Sequence, residues 1–208
     1  MTIDPDAEVA KYDALYAQDK TYKMGETRKA AVCALLSEGF NAAKAMKPPP
    51  EWLTLLDVGC GRGEACQMAA DIGYEDVIGA DASDIVTYPP TPPKDYSLIC
   101  CHAWEQPFDD REFDTVTCFD VLEHLPPDFV AKTITELGRV ANRRLLLTAA
   151  WKPDIRNGVD LHISARPTDE WDQLIRFLLC PTWVVTHRKD VVTGTSETWE
   201  CLRANLGG

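Results

Sequence analysis

Three glycines at alternate positions directly follow an apolar run over residues 52–58; they are Gly59, Gly61 and Gly63. A helix-compatible run begins at Glu64. Glycine tolerates positive φ and lets a ligand approach the backbone closely. The free N–H groups at the start of a helix then face that ligand. The stretch therefore predicts a buried strand, a tight turn and a helix N-terminus that bind a small ligand, with an ordinary strand-to-helix turn as the alternative.

The acidic residues around this turn distinguish between two classes of ligand. A dinucleotide fingerprint, G-x-G-x-x-G, requires a third glycine where this chain has Glu64. A glutamate beside a pyrophosphate would also repel it. Asp57 before the turn and Glu64 after it instead suit a ligand with a positive end, such as an amino acid or a sulfonium. The sequence therefore disfavours an NAD-dependent oxidoreductase.

Two motifs resemble those of one enzyme family. Residues 57–63, D-V-G-C-G-R-G, look like motif I of the class I S-adenosylmethionine (SAM)-dependent methyltransferases, and residues 120–125, D-V-L-E-H-L, look like motif IV. The resemblance covers nearly the whole chain. It implies an α/β fold with a doubly wound, seven-stranded, mostly parallel sheet of order 3-2-1-4-5-7-6. A C-terminal antiparallel hairpin and N-terminal capping helices complete the expected fold.

The length of 208 residues suits one domain with a sizeable core. We predict a single class I methyltransferase domain over residues 1–208, with a helical cap at 1–47 and a SAM-binding α/β core at 51–208. Apolar residues at helical spacing predict two cap helices within 7–46, interrupted near 21–25. Alternating or apolar runs predict the strands, at 52–58, 76–80, 97–101, 113–119, 144–149, 183–187 and 197–202.

Asp81 follows the second predicted strand, 18 residues after Gly63, which is about the separation at which an acid meets a ribose hydroxyl. In the family an acid at this strand end binds both ribose hydroxyls of SAM. A carboxylate can accept two hydrogen bonds at once, which suits a vicinal diol. A helix N-cap is the alternative role for Asp81.

The stretch after the third predicted strand departs from the family pattern. Where the family usually has an aspartate, this chain has His102. Contact with adenine then rests on backbone groups near Ala103 and Trp104, aided by the His102 ring. The Trp104 ring either stacks on the base or packs as a surface aromatic.

The resemblance also implies cofactor contacts from the cap and from the two motifs. Tyr22 and Met24 resemble a cap over the SAM pocket, and Arg28 is expected to meet the ligand's carboxylate. A plain helix–turn–helix with Tyr22 and Met24 in the core is the alternative. The remaining predicted cofactor contacts are Asp57, Gly59, Cys60, Gly61, Gly63, Ala82, Asp120 and Val121.

Three side chains are candidates for catalysis. Glu123 and His124 lie in the motif IV turn, and His162 lies in the loop after the fifth strand, where small-molecule members of the family place a histidine towards the substrate. Histidine can act as a general base near neutral pH. A structural, hydrogen-bonded role is the alternative for each. No metal site is expected, because these residues and His187 are scattered along the sequence without tight ligand spacing.

Charge and composition restrict the partners. The net charge is −12, without a Lys/Arg cluster, so nucleic acid is disfavoured as a substrate. No apolar run approaches the length of a membrane span. The acidic N-terminus lacks a signal-peptide pattern, and the eight cysteines contain no C-x-x-C pair. We therefore expect reduced cysteines and a cytoplasmic location, and the sequence leaves the oligomeric state unknown.

The function predicted from these features is SAM-dependent methyl transfer to an O or N acceptor on a small molecule, with S-adenosyl-L-homocysteine (SAH) as product. The compact length and acidic composition favour a small acceptor. Three rival functions remain at this point. One is an NAD-dependent oxidoreductase, which Glu64 and the Glu123-His124 turn oppose. The others are a methyltransferase-like SAM-binding partner subunit without its own catalysis, and a methyltransferase of a nucleic acid or protein.

Overall fold

The structure is a computed structural model that describes residues 4–18, 24, 26–46, 53–87, 89, 91–156, 158–191 and 195–204. Its helices in chain order are α1 (Pro5–Gln18), α2 (Glu26–Lys44), α3 (Glu64–Ile72), α4 (Asp84–Thr87), α5 (Pro127–Val140) and α6 (Thr168–Leu179). Its strands are β1 (Thr54–Val58), β2 (Asp76–Asp81), β3 (Ser97–Cys100), β4 (Phe113–Cys118), β5 (Ala141–Ala150), β6 (Ile155–Arg156), β7 (Val159–Asp160), β8 (Trp183–His187) and β9 (Ser196–Arg203).

Seven of these strands form one sheet in the order β3-β2-β1-β4-β5-β9-β8. The first five are parallel to one another, β9 pairs antiparallel with β5, and β8 pairs antiparallel with β9. Numbering only the strands of this sheet gives 3-2-1-4-5-7-6. The predicted fold class and strand order are therefore confirmed.

The fifth strand and the loop after it differ from the prediction. β5 begins at Ala141, three residues before the predicted start, because the polar run at 142–144 fits the strand. Arg143 pairs with Asp114 at 2.9 Å, and Arg144 pairs with Glu200 at 2.6 Å. The stretch after Trp151, predicted as a loop, contains the short antiparallel ribbon of β6 and β7.

Both faces of the sheet are covered, as expected for a mostly parallel sheet. Successive side chains of β1 point to opposite faces, so Leu56 joins the core beneath α5 and α6 while Leu55 joins the core beneath α2 and α3. Trp171 and Trp199 are fully buried in the first of these cores. The central strands are thereby held rigidly, with their carboxyl ends at one edge.

The two N-terminal helices are attached to different parts of the core. α2 buries Val32, Leu35 and Leu36, and the Arg144 guanidinium donates to the Leu35 carbonyl oxygen at 2.6 Å. α1 lies near the end of β2, where the Ser83 hydroxyl donates to a carboxylate oxygen of Asp13 at 2.5 Å. The predicted break between them, including Tyr22, lies outside the described residues except for Met24. In the described parts of the chain, no helix is long and apolar enough to span a bilayer.

Candidate functional site

A cavity of about 370 Å³ opens at the carboxyl ends of β1, β2 and β4, where open α/β sheets bind ligands. Its walls come from α1 and α2, from the glycine turn after β1, and from the loops after β2, β3 and β4. The lining residues are Glu8, Val9, Tyr12, Tyr16, Met24, Arg28, Val58, Gly59, Cys60, Gly61, Arg62, Glu64, Asp81, Ala82, Ser83, Cys101, Ala103, Trp104, Phe119, Asp120, Val121, His124, Leu125 and Pro126.

The glycine turn forms the floor of this cavity. All three of its glycines have positive φ, between 51° and 76°, so the turn requires the residue type that the sequence supplies. The Gly59 and Cys60 N–H groups donate to the Ala80 carbonyl oxygen at 2.7 and 3.1 Å. A methyl group on Gly59 would collide with the Val121 side chain. The turn therefore packs directly against the motif IV segment.

The two aspartates at these strand ends take different positions. Asp81 lines the cavity, and its carboxylate oxygens accept from the N–H groups of Gly61 and Ser83, each at 2.9 Å. Burial raises the pKa of Asp81. Asp57 is not in the cavity wall but lies behind the turn. There its carboxylate accepts a hydrogen bond from the Thr117 hydroxyl at 2.6 Å. Burial raises the pKa of Asp57 to about 7.

The predicted adenine contacts are only partly brought to the cavity. Ala82, Ala103 and Trp104 line it, whereas His102 is not among the lining residues. The His102 ring instead stacks on Trp104 with ring centroids 4.4 Å apart and an angle of 11°. The Phe129 ring also packs on Trp104, at 4.2 Å. The Trp104 side chain is therefore already stacked within the protein, which favours a packing role over stacking on a base.

The cap reaches the cavity through both of its helices. The Met24 N–H donates to a carboxylate oxygen of Glu64 at 2.6 Å, which joins the segment before α2 to the first residue of α3. Arg28 forms an ion pair with Asp120. Tyr22 lies outside the described residues, so its predicted contact is untested.

Sequence reasoning missed the contribution of α1 to the cavity wall. Val9, Tyr12 and Tyr16 line the cavity because they recur at helical spacing and so share one face of α1. That spacing was available in the sequence. It predicts an apolar face, and only the folded chain shows that this face looks onto a cavity. The sequence predicts that Glu64 is an acid facing the ligand. In the structure its carboxylate also accepts a hydrogen bond from the Met24 N–H of the cap.

The motif IV turn carries Asp120 and His124 into the cavity wall but turns Glu123 away from it. Asp120 has φ of 55°, and its N–H donates to the Thr148 hydroxyl at 2.8 Å. The Glu123 carboxylate is fully buried and accepts from the Ala150 N–H at 3.0 Å. Burial raises its pKa well above the usual range. Glu123 therefore anchors the turn to β5 rather than facing an acceptor.

His124 and His162 lie together, although His162 is not in the cavity wall. Their ring centroids are 4.8 Å apart. The Nδ1 atom of His124 lies 2.5 Å from the Tyr12 hydroxyl oxygen and 2.8 Å from the Leu161 carbonyl oxygen. Burial lowers the pKa of His124 to about 4, so its ring is neutral at physiological pH.

Three of the four candidate metal ligands, which are scattered along the sequence, are brought together in space. One ligand atom each from Glu123, His124 and His162 lies within 4.8 Å of the other two. Sequence spacing could not show this, because the loop between β5 and α6 folds back onto the motif IV turn. His187 lies apart, on β8, where its Nε2 is 3.0 Å from a carboxylate oxygen of Glu197.

Comparisons with known proteins agree with this geometry. Residues 56–144 match the family model of a methyltransferase domain. A ubiquinone biosynthesis O-methyltransferase of Sinorhizobium medicae is 30% identical over 163 residues, which cover 71% of this chain and 64% of the relative. One from Rhodopseudomonas palustris is 33% identical over 141 residues, covering 60% and 53%. The chain thus spans less than two thirds of the length of these relatives.

Solved structures share the fold at low sequence identity. The magnesium protoporphyrin IX methyltransferase of Synechocystis PCC 6803, solved with bound SAM, has a TM-score of 0.69 at 17% identity and covers 97% of this chain and 98% of its own. The 1,6-didemethyltoxoflavin-N1-methyltransferase of Burkholderia thailandensis has a TM-score of 0.70 at 14% identity, covering 98% and 92%. The domain match, the strand order and both motifs agree: residues 56–144 carry a methyltransferase domain, and the chain has the Rossmann-like fold of the class I SAM-dependent methyltransferases.

Proposed function

We propose that this chain transfers a methyl group from SAM to an oxygen or nitrogen of a small-molecule acceptor and releases SAH. The observation that carries the proposal is a cavity whose wall contains Asp81 and the glycine turn together with Asp120 and His124. Its volume of about 370 Å³ lies within the range of small-molecule sites. The relatives named above, which methylate small molecules by their names, support the same class of acceptor.

The charges along the cavity suit the ends of SAM. Each oxygen of the Asp81 carboxylate accepts one backbone hydrogen bond and keeps a lone pair for a ribose hydroxyl. Elsewhere in the cavity wall, Arg28 and Asp120 form an ion pair with each other. The methionine part of the ligand would take the place of this pair: its carboxylate would pair with Arg28, and its positively charged groups would pair with Asp120.

We take the part of the cavity at His124 as the acceptor end. Tyr12, whose hydroxyl oxygen lies 2.5 Å from Nδ1 of His124, lines the cavity, as do the apolar side chains of Val9, Val121, Leu125 and Pro126. Methyl transfer from a sulfonium needs mainly alignment of nucleophile, methyl group and sulfur. A His124 ring with a pKa of about 4 is a weak base, so it suits an acceptor that ionises readily, such as a phenol, or an amine that loses its proton after transfer.

Calorimetry of the purified chain with SAM, SAH and NAD in turn tests the proposal. We expect micromolar binding of SAM and SAH and no binding of NAD. Formation of SAH with a panel of phenol and amine acceptors then tests turnover. Tight SAM binding without turnover on any acceptor class would favour the non-catalytic partner subunit. Binding of none of the three ligands would refute the cofactor assignment. A cytoplasmic location stays a prediction from the sequence.

A further inference from the structure

The loop between β5 and α6 places the His162 ring next to His124 of the motif IV turn. One nitrogen of His124, one nitrogen of His162 and one carboxylate oxygen of Glu123 all lie within 4.8 Å of one another. Methyl transfer from SAM does not by itself require this grouping, since Glu123 and His162 lie outside the cavity wall. The proximity of these three side chains therefore needs an explanation other than methyl transfer.

Hydrogen bonds to backbone carbonyls settle where the protons of the two rings sit. The Nδ1 atom of His124 is 2.8 Å from the Leu161 carbonyl oxygen, and the Nδ1 atom of His162 is 2.6 Å from the Lys152 carbonyl oxygen. A carbonyl oxygen can only accept, so we infer that both Nδ1 atoms carry a proton and donate it, with the Tyr12 hydroxyl oxygen, 2.5 Å from Nδ1 of His124, as a second acceptor there. In the neutral form of each ring the free lone pair is then on Nε2, which is the arrangement that metal-binding histidines show.

The third member of the cluster is a buried carboxylate with one unused oxygen. Glu123 is 0% exposed. Its Oε1 atom accepts from the Ala150 N–H, whereas Oε2 has no hydrogen-bond partner among the residues that the structure describes. A buried carboxylate without a balancing partner is costly. One nitrogen of each ring and one oxygen of this carboxylate thus lie within 4.8 Å of one another, and Oε2 of Glu123 has no donor among the described side chains.

We propose that Glu123, His124 and His162 bind a divalent transition-metal ion of the zinc class beside the acceptor end of the cavity. Two histidines and a glutamate are a ligand set that zinc uses in catalytic sites. Ligand atoms at roughly 2.1 Å from zinc in tetrahedral geometry stand about 3.4 Å apart. The separation of up to 4.8 Å therefore needs side-chain shifts on the order of 1 Å for a metal ion to bind.

A metal at this position would change how the acceptor is activated. His124 also lines the cavity, and the metal would occupy the lone pair that a general base needs. A bound divalent cation stabilises the ionised form of a hydroxyl oxygen that reaches it. This consequence rests on the proposed function, whereas binding of the metal does not.

The test uses the full chain after treatment with a chelator and without SAM. Titration with Zn²⁺ is followed by calorimetry, and Co²⁺ is used as a spectroscopic probe. We expect one Zn²⁺ per chain, bound at least tenfold more weakly by Glu123→Gln and by His162→Gln. The matched control is His187→Gln, which removes another partly buried histidine with a carboxylate partner and should leave affinity unchanged.

Several results would overturn the proposal. The first is the absence of Zn²⁺ binding by the unaltered chain. The second is a Zn²⁺ affinity in both variants equal to that of the unaltered chain, and the third is a Co²⁺ spectrum with the thiolate charge-transfer band of cysteine ligands. If Glu123→Gln fails to fold because it loosens the anchor to Ala150, His162→Gln still decides the matter. Calorimetry with SAH on the same samples separates a failure of the metal site from a failure of the proposed cofactor site.

Discussion

The guanidinium of Arg28 on α2 forms an ion pair with the carboxylate of Asp120 at the end of β4. Both side chains line the cavity, and they are 33% and 13% exposed. The pair joins the N-terminal cap to the motif IV turn at the point where the methyl-donor end of SAM is proposed to bind. Each partner is therefore available to a ligand that carries both charges.

Replacing Arg28 by alanine should weaken binding of ligands that carry a carboxylate. We expect SAH affinity to fall about tenfold or more, which is about 1.4 kcal/mol, because a charge-assisted hydrogen bond is lost. Affinity for 5′-methylthioadenosine, which lacks the amino acid part, should change little. Calorimetry with both ligands measures the difference.

Arg143→Ala is the matched control for this experiment. Arg143 also pairs with an aspartate, Asp114, and the two are 38% and 14% exposed, but neither lines the cavity. Equal losses for SAH and 5′-methylthioadenosine in Arg28→Ala would mean that the change acts on the fold of the cap and not on a carboxylate.

Replacing Asp81 by alanine should reduce SAM and SAH affinity about 100-fold. The change removes the acceptors proposed for the ribose hydroxyls, and hydrogen bonds to a charged group contribute roughly 1.5–3 kcal/mol each. It also releases the Gly61 N–H that holds the glycine turn. Calorimetry measures the loss, and Asp76→Ala, at the exposed start of the same strand, is the control. Affinity within twofold of the unaltered chain would contradict the pocket assignment.

The glycine turn can be tested with two glycines of nearly equal φ. Gly59 has φ of 76° and faces the Val121 side chain, whereas Gly158 has φ of 78° and would meet nothing within 4 Å on gaining a methyl group. Gly158→Ala should cost only the conformational penalty, about 1–2 kcal/mol in the free energy of unfolding. Gly59→Ala should cost more and abolish SAH binding. Urea unfolding and calorimetry measure both; equal costs would show that the contact with Val121 is easily relieved.

Asp57 should make stability fall as pH rises. Burial raises its pKa from 3.8 to about 7 in the folded chain, so the folded state binds more protons than the unfolded state between about pH 4 and 7. The free energy of unfolding therefore decreases as pH rises through this window and levels off above it. The contribution is on the order of 4 kcal/mol.

The variant Asp57→Asn isolates this contribution, because the amide oxygen can still accept from Thr117 but does not titrate. Its free energy of unfolding should vary less between pH 4 and 7 than that of the unaltered chain, as measured by urea unfolding at each pH. Identical pH profiles would show that Asp57 is not the group responsible.

Much of the cavity wall at the strand ends was predictable because its residues lie beside local signals. Gly59, Asp81 and Asp120 each lie at the end of a strand or within two residues of it, and carboxyl ends of parallel strands share one edge. The prediction was weaker for side chains whose direction depends on packing. His102 is drawn onto Trp104, and Glu123 turns into the core to bind the Ala150 N–H.

The sequence by itself determined most of the helices and strands and their order along the chain, because strand alternation, helical spacing and glycine turns arise from interactions between near neighbours in the chain. The order of the strands in the sheet was implied by the resemblance of its motifs to one family. Only the tertiary structure decided which distant side chains meet. The Arg28–Asp120 pair, the bond from Met24 to Glu64 and the contact between His124 and His162 all join residues from separate segments. Their geometry depends on how helices and loops pack around the edge of the sheet, and no local pattern in the sequence records that packing.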